Sequence, residues 1–456
     1  MRRQPRSTPG SLQTPGNNFI QQVIFSRKGF IAYLPLIVAG IALLAAAGVA
    51  SFFYNPSMNA YQCYAMAFWY GAKTSQLLPA SQCLFILQIS RFHTLPLEYP
   101  PLALLVFSLP LLVPVAGYPI LFALFMLLVV SIIYWLLLRY GPRGAGVVFT
   151  ACLLLGCLAT SLARFDIVPA ALTLLCLILA ERKHWSLAYA ALALGVLIKL
   201  YPIVLFPLLF LAEQRDQSGF SVPDWPVTLK TARTVFLHTL RNMRTWRWKN
   251  GLIFTGLMVG VAALFLAVIS NGTLSSFSYL YLRPFQVEST GSVVLWLASL
   301  LGVPVGWTNS FGSLNTISPI AGVVSQVFVI LFFIGYIFII IQQWKGKMDL
   351  VQASLAALLA LVATSKVFSP QYLLWLIPLL AYSAAGNRRV WLTWGAISIL
   401  TTLIFPIYYA FIPGVNDPSL PPGFLPVILI RDGLFLLLTV ATLFNFLNLG
   451  ECSAVP

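Results

Sequence analysis

Long runs of apolar residues, separated by short polar segments, recur along the whole chain. Clear examples are residues 30–53, 251–270, 317–341 and 424–447. A helix needs roughly 20 apolar residues to cross the hydrocarbon core of a bilayer, and the chain offers about a dozen runs near that length. The pattern therefore predicts an all-α membrane protein, a polytopic bundle of about 11–13 transmembrane helices.

The polar segments that carry positive charge indicate how the chain is threaded. More than half of its 27 lysines and arginines lie in four segments, at 2–28, 215–249, 345–347 and 388–389. The positive-inside rule places these segments in the cytoplasm. We therefore expect a disordered basic tail at 1–28, a transmembrane domain at 29–448 and a short tail at 449–456, with both termini cytoplasmic.

Simple alternation of crossings leaves one contradiction in the middle of the chain. It puts the basic segments 139–143 and 182–183 on the outer side, against the positive-inside rule. The run 186–212 contains Pro202, and a proline removes a helical hydrogen bond. We favour a split of this run at 199–202, because two short helices would return the segment 182–183 to the inside.

Two long segments, 54–97 and 271–316, are predicted to lie on the outer side. Aromatic residues recur at helical spacing in the first of them: Tyr61, Tyr64, Phe68 and Trp69. They indicate either an interfacial helix facing the headgroups or a buried core helix. The second contains a short apolar stretch at 293–301. On the inner side, the basic loop 213–250 either rests against the anionic leaflet or is solvated.

The first outer loop leads into the stretch LPLEYPPLALLVFSLP at 95–110. Glu98 and Tyr99 precede two prolines there, so a carboxylate stands at the mouth of an apolar span. A carboxylate in this position indicates a site, or it simply stabilises the dipole of the following helix. The runs 100–113 and 119–138 that follow predict a helical hairpin.

Composition agrees with a membrane protein. The chain is 59% hydrophobic and only 8% charged, with a mean hydropathy of +0.89, whereas soluble domains are about one quarter charged. The formal net charge of +16 would also fit a nucleic-acid partner, but the basic residues flank apolar runs. We therefore assign the charge to membrane topology, and expect a lipid bilayer and no nucleic acid as partner.

Ionisable residues at membrane depth are costly and usually functional, and the chain has only 11 acidic residues. Besides Glu98, two stand out: Asp166 follows Arg164 at the head of an apolar run, and Glu288 lies in the sequence RPFQVES. Each has a structural alternative, because Arg164 would pair with Asp166 and Arg283 with Glu288 as orienting salt bridges.

Two lysines stand beside prolines that interrupt apolar runs. They are Lys199, in IKLYP, and Lys366, in SKVFSPQY. Interrupted helices at membrane depth commonly line polar cavities. A lysine with tyrosine or glutamine nearby, such as Gln371, is suited to holding a phosphate. The alternative is a lysine that extends to the membrane interface.

Five motifs that include these residues occur together in one known family. In chain order they are EYPPLAL followed by FSLP (98–110), RFD (164–166), G-x-x-x-K-x-Y-P (195–202), RPFQVES (283–289) and KVFSPQYLLW (366–375). The chain from about residue 30 to 447 thus resembles the GT-C-type polyprenyl-phosphate-mannose-dependent mannosyltransferases, the glycosyltransferase family 87 group also labelled domain of unknown function 2029. Each motif alone is weak, but their order makes the resemblance fairly specific for the family.

The resemblance implies a GT-C-like enzyme of the plasma membrane. It would move a hexose, usually mannose, from a polyprenyl phosphate carrier to a glycolipid or glycan acceptor on the outer face, without a cofactor. One inverting displacement with one base suffices, because the leaving group is already a phosphate anion. Glu98 is the candidate base. The candidates for the donor phosphate are Lys199, Lys366 and Arg164. The candidates for the sugar or acceptor are Asp166, Glu288, Gln371, Tyr99 and His93.

The chain departs from the family pattern in the first outer loop. Relatives typically carry an aspartate there that is expected to act as the base, whereas residues 54–97 contain no Asp or Glu. The window offers Asn55, Ser57 and Asn59, and an amide cannot act as a general base. Either Glu98 has taken this role, or the protein is a non-catalytic binder, transporter or flippase of lipid-linked sugars.

Cysteine and histidine add little chemistry. Cys63 and Cys83 share the first outer loop, where a disulfide that braces the loop is a hypothesis. Cys152, Cys157 and Cys176 lie in apolar runs and are interpreted as small packing residues. The three histidines are scattered along the chain, so we expect no metal site.

Overall fold

The computed structural model describes residues 27–53, 56–79, 82–83, 95–96, 98–218, 246–268, 275–412 and 419–444. The helices are α1 (Arg27–Phe53), α2 (Pro56–Tyr70), α3 (Thr74–Leu77), α4 (Ala103–Ser108), α5 (Tyr118–Tyr140), α6 (Ala145–Gly156), α7 (Ile167–Glu181), α8 (Trp185–Ile198), α9 (Phe206–Ser218), α10 (Lys249–Val268), α11 (Ser275–Leu282), α12 (Thr290–Ser299), α13 (Ala321–Trp344), α14 (Leu350–Thr364), α15 (Leu373–Ala384), α16 (Arg388–Thr402) and α17 (Phe424–Leu443). The strands are β1 (Phe285–Gln286), β2 (Gly306–Ser310) and β3 (Ser313–Ile317).

The prediction of an all-α polytopic membrane protein is confirmed. Among the described residues, six helices are long and apolar enough to cross a membrane. Six further apolar helices of 10–17 residues accompany them. Helix α15 lies at the centre, since every one of its residues is buried, as expected for a helix that is apolar on all sides.

Three helices that end in basic segments meet at one end of the bundle. The guanidinium of Arg182, after α7, lies 4.2 Å from the ring centroid of Tyr140 at the end of α5. The hydroxyl of Tyr382, near the end of α15, donates a hydrogen bond to Glu181 in the last turn of α7. The ends of α5, α7 and α15 therefore share one face of the molecule.

The ends of α9 and α13 belong to the same face. Lys183, in the turn after α7, pairs with Asp216 of α9 at 2.6 Å, and Nη1 of Arg215 donates to the carbonyl oxygen of Gln343 at 2.5 Å. We call this face the basic end. Its cationic residues are Arg139, Arg143, Arg182, Lys183, Arg215, Lys345, Lys347, Arg388 and Arg389.

This arrangement removes the contradiction found in the sequence. The segments 139–143 and 182–183 lie at the same end as 388–389, as the positive-inside rule requires of segments in one compartment. The preferred split of the run 186–212 is confirmed, because α8 ends at Ile198 and a short 3₁₀ turn, Tyr201–Leu205, separates it from α9. The chain thereby gains one more crossing between the two ends.

The predicted hairpin at 100–113 and 119–138 is present, with α5 as its second arm, but its first arm is shorter than predicted. Only Ala103–Leu112 is helical there. Its ten residues rise about 15 Å, half the thickness of a hydrocarbon core. The aromatic ring of Phe107 in α4 stacks on Tyr61 of α2 at 4.5 Å, so α4 stays at the end opposite the basic residues.

The described part of the first outer loop is compact. In α2, residues 61–68 are all buried, while Trp69 and Tyr70 are 44% and 45% exposed. Of the two interpretations of this helix, the buried core helix is therefore the one that the structure adopts, with an exposed end.

A small antiparallel sheet, not foreseen from the sequence, lies at residues 285–317, largely within the segment 271–316 that was predicted to be outer. Its strand order is β1–β3–β2. Strands β2 and β3 are joined by the two-residue turn Phe311–Gly312, and both turn residues have positive φ, 52° and 68°, as a tight type I′ hairpin requires. The predicted short apolar segment at 293–301 corresponds to α12.

One helix boundary differs clearly from the sequence interpretation. Helix α9 continues to Ser218 instead of ending before residue 213, because Glu213 is buried and accepts a hydrogen bond of 2.6 Å from Asn250. The basic loop is therefore shorter than 213–250. Its segment 219–245, residues 1–26 of the predicted N-terminal tail and the whole predicted tail at 449–456 lie outside the described residues.

The hypothesis of a bracing disulfide is confirmed, because Cys63 in α2 is bonded to Cys83 across a sequence separation of 20 residues.

We expect replacement of both cysteines by serine to lower the free energy of unfolding by about 3 kcal/mol, since the bond restricts a loop of that length in the unfolded chain. Reductant should lower the unfolding midpoint of the wild type but not of the variant. Identical reducing and non-reducing peptide maps would contradict the bond.

Candidate functional site

The end of the bundle opposite the basic end contains a buried ion pair between Asp166 and Lys199. Asp166 precedes the first turn of α7 and Lys199 follows the last turn of α8, so the antiparallel course of these two helices brings the residues together. The Lys199 ammonium donates a hydrogen bond to Oδ1 of Asp166. Their side chains are 14% and 1% exposed.

Aromatic rings surround this pair. The Lys199 ammonium lies 4.9 Å from the ring centroid of Phe165, 5.1 Å from that of Trp375 and 5.7 Å from that of Tyr99, positions where a ring face attracts a cation. Nε1 of Trp375 donates to Oδ1 of Asp166 at 2.7 Å. The pair is thus fixed by its surroundings as well as by its own contact.

Arg164 lies on the other side of Asp166. Its Nη1 donates to the hydroxyl of Tyr61 at 3.5 Å, and Tyr61 is held by stacking on Phe107 and by an edge contact of 5.4 Å with Phe165. Burial raises the pKa of Tyr61 to about 12, so the phenol stays neutral and keeps its proton.

Glu98 is half-buried beside the same group. Its charge acts on Lys199 and on Tyr279. The pKa of the Tyr279 phenol is raised mainly by burial and further by the charge of Glu98. A Cβ added at Gly312 would lie 3.8 Å from Oε1 of Glu98. The hairpin turn between β2 and β3 therefore reaches the carboxylate, and Tyr279 ties that turn down by donating to the carbonyl oxygen of Phe311 at 2.6 Å.

Arg283, which directly follows α11, also joins the group. Its Nη2 donates to Oγ of Ser313 at 2.8 Å, and its guanidinium lies 5.8 Å from the ring centroid of Tyr279. Its Nε is buried and donates no hydrogen bond to any described residue. One donor of this arginine therefore has no hydrogen-bond partner among the described residues.

Tyr372 marks the centre of these charges. Burial raises its pKa to about 12, and Arg283, Asp166, Arg164 and Glu98 all act on it electrostatically. We call the four charged residues that act on Tyr372, together with Lys199, the charged cluster. Its members are Glu98, Arg164, Asp166, Lys199 and Arg283.

The remaining site candidates have other surroundings. Nζ of Lys366 donates to the carbonyl oxygen of Tyr281 at 2.9 Å, and Gln371 is half-buried beside Tyr372. Glu288 accepts a hydrogen bond of 2.7 Å from Tyr409 and lies 3.7 Å from Arg431. His93 lies outside the described residues.

The two salt bridges considered as alternatives are replaced by others. Asp166 pairs with Lys199 rather than with Arg164, and Glu288 pairs with Arg431 rather than with Arg283. Both arginines of the charged cluster instead donate hydrogen bonds to neutral hydroxyl groups, those of Tyr61 and Ser313.

Sequence reasoning missed three residues of the site. Trp375 and Tyr372 lie within the motif KVFSPQYLLW but carry no charge, and Arg283 was considered only as a partner of Glu288. The available signal was the spacing of the motif itself: in the 3₁₀ turn Pro370–Tyr372 and the first turn of α15, Tyr372 and Trp375 stack with centroids 3.9 Å apart.

The fold and this cluster define a polytopic helical membrane protein with a buried, charged and aromatic site at one end of its bundle. No protein-family model matches the chain, and no curated protein matches it significantly. Within the described ranges, no three His, Cys, Asp or Glu residues come together as a metal site. The expectation that no cofactor or metal takes part stays a prediction.

Proposed function

We propose that the protein is a membrane glycosyltransferase that moves a hexose, mannose in the first instance, from a polyprenyl phosphate carrier to a glycolipid or glycan acceptor. The observation that carries the proposal is the charged cluster itself. It combines a half-buried carboxylate, Glu98, with two arginines that have no acidic partner within salt-bridge distance among the described residues.

The charge of the cluster suits this donor. Lys199 and Asp166 neutralise each other, which leaves Arg164 and Arg283 opposite Glu98, a surplus of one positive charge. A sugar linked to polyprenyl phosphate is a phosphodiester with one negative charge. Guanidinium groups bind phosphate oxygens through paired hydrogen bonds, and the unpartnered Nε of Arg283 supplies one such donor.

The reaction needs one base. Glu98 would accept the proton of the acceptor hydroxyl while the oxygen of that hydroxyl bonds to the anomeric carbon of the sugar. The bond from that carbon to the phosphate oxygen breaks, and its electron pair stays on the phosphate. The leaving group gains negative charge, which Arg164 and Arg283 would stabilise. The displacement inverts the anomeric configuration.

The other candidates take different parts in this proposal. Lys199 would add a third cation near the phosphate, and Asp166 would hold that lysine in place. Tyr99 and Gln371, both half-buried, would contact the sugar or the acceptor. Lys366 would hold the segment next to Arg283 through its bond to Tyr281.

The basic end indicates the orientation that we propose. The positive-inside rule places that end and both termini in the cytoplasm, and the charged cluster then faces the outer side of the plasma membrane. A sugar donor anchored in the membrane by its lipid can be used on that side, where no nucleotide sugar is required. This agrees with the predicted polyprenyl phosphate donor.

The test uses the full chain in lipid vesicles with polyprenyl-phosphate-[³H]mannose and a lipid extract as acceptor source. We expect radiolabel to move to a new lipid or glycan in proportion to the amount of protein, with inverted anomeric configuration by NMR. The same reaction with polyprenyl-phosphate-glucose tests the sugar. Vesicles without protein are the control.

The ion pair of Lys199 with Asp166 favours a second candidate, a protein that binds or translocates the lipid-linked sugar without transferring it. In that case Asp166 already neutralises Lys199. A protein that transfers no sugar also needs no catalytic base, so the absence of an aspartate from residues 54–97 is explained. Movement of the labelled carrier to the opposite leaflet, without any new product, would establish this function and exclude the transferase.

A further inference from the structure

A second buried charged group lies in the half of the bundle that contains the outer sheet, centred on Arg431 of α17. Arg431 is 0% exposed, and the two carboxylates beside it, Asp432 and Glu288, are 2% and 1% exposed. We call these three residues the Arg431 cluster. The transfer reaction proposed above makes no use of them.

The contacts of Arg431 hold an outer segment against the bundle. Its Nε donates to Oδ1 of Asp432 at 2.8 Å, its Nη2 donates to the carbonyl oxygen of Glu288, and its Nη1 lies 3.7 Å from Oε2 of Glu288. The guanidinium also lies 4.0 Å from the ring centroid of Phe368. One arginine thus connects α17, the segment around Glu288 and the segment before α15.

The charges of the cluster do not balance. One guanidinium faces two carboxylates, so the fully ionised cluster would carry one buried negative charge. Burying an uncompensated charge is strongly unfavourable. Tyr409 and Gln286, which face Glu288 from other elements, are neutral and donate to its Oε1 at 2.7 and 3.2 Å.

We propose that Glu288 and Asp432 bind one shared proton at neutral pH and that this proton fastens residues 285–290 onto α17. A proton removes the excess charge and requires no additional ligands. Oε2 of Glu288 and Oδ2 of Asp432 are both buried and accept no hydrogen bond from the described residues, so these are the two oxygens to which we assign the shared proton.

A metal cation fits this place less well. The Arg431 guanidinium approaches both carboxylates and would repel a second cation, and Oε1 of Glu288 and Oδ1 of Asp432 are already occupied by hydrogen bonds. Hard cations such as calcium or magnesium take six or more oxygen ligands. The proton is therefore the ligand to which we commit.

The pKa of Glu288 agrees with this assignment and sets the pH window. Burial raises that pKa to about 7, the lowering by Arg431 being smaller. The folded protein then retains a proton between about pH 4.5 and pH 7 that the unfolded chain releases, so stability is lost as the pH rises through this window.

The experiment is a pH series of thermal unfolding with the full chain in detergent micelles. We expect the wild-type midpoint temperature to fall by several degrees from about pH 5 to about pH 8. Glu288→Gln and Asp432→Asn each imitate the protonated cluster, so each should flatten this dependence and be more stable than the wild type at the upper pH. Asp216→Asn, at a surface pair, should keep the wild-type slope.

The double variant tests the charge argument. With both Glu288→Gln and Asp432→Asn, Arg431 loses every counter-charge within salt-bridge distance among the described residues, and the midpoint should drop below that of either single variant at every pH. Retention of the wild-type slope in both single variants would overturn the proposal. So would a midpoint that rises with sodium concentration at constant pH, which would indicate a cation instead. These readouts measure stability, so they hold whether or not a sugar is transferred.

Discussion

Glu98→Gln is expected to lower the rate of sugar transfer by about 10²- to 10⁴-fold, the usual contribution of a general base. The amide keeps the shape of the side chain but cannot accept a proton. The arginines of the charged cluster remain in place, so the KM for the donor should change little while kcat falls. The measurement is the initial rate of transfer from labelled polyprenyl phosphate mannose in vesicles.

Asp216→Asn is the matched control for this prediction, because Asp216 is a carboxylate at the basic end whose partner Lys183 is exposed. Its transfer rate should equal that of the wild type. Unchanged turnover in Glu98→Gln would remove Glu98 from the role of base. In the charged cluster the other carboxylate is Asp166, which already accepts hydrogen bonds from Lys199 and Trp375.

The choice of Glu98 rests on its accessibility. It is half-buried and lies beside the turn Phe311–Gly312, whereas Asp166 is 0% exposed. A base must reach the hydroxyl of an incoming acceptor. The sequence pointed to Glu98 by elimination, since the loop 54–97 has no acid, and the structure adds that its carboxylate lies beside the cations of the cluster.

Much of the fold could be predicted from the sequence because the bilayer constrains it strongly. Apolar runs near 20 residues predict crossing helices, and Pro202 correctly predicted the break between α8 and α9. Short elements were harder. Ala103–Leu112 is apolar but too short to cross, and strands of two to five residues leave almost no periodic signal.

The pairing of charges could not be predicted in the same way. The sequence suggested Arg164 for Asp166 because the two are neighbours along the chain, whereas the observed partner, Lys199, is 33 residues away. The partner of Glu288 is 143 residues away. Pairing is decided by which helix ends meet, and the number and direction of crossings must be known before those ends can be placed.

Lys199→Met is expected to lower the free energy of unfolding by about 3–5 kcal/mol, because it leaves the buried carboxylate of Asp166 without its cation. Transfer should be lost together with stability in this variant, so it cannot by itself separate a structural role from a functional one. The measurement is denaturant unfolding in micelles, followed by tryptophan fluorescence.

The double variant Lys199→Met with Asp166→Asn makes that separation. Replacing both members of a buried ion pair by neutral groups of similar size is often nearly neutral for stability, so the free energy of unfolding should return close to the wild-type value. Transfer should nevertheless stay about 10- to 100-fold below wild type through a higher donor KM, since the phosphate loses one charged hydrogen bond. Wild-type transfer in a stable double variant would instead restrict the pair to holding α7, α8 and α15 together, and Arg164 and Arg283 alone would then bind the phosphate.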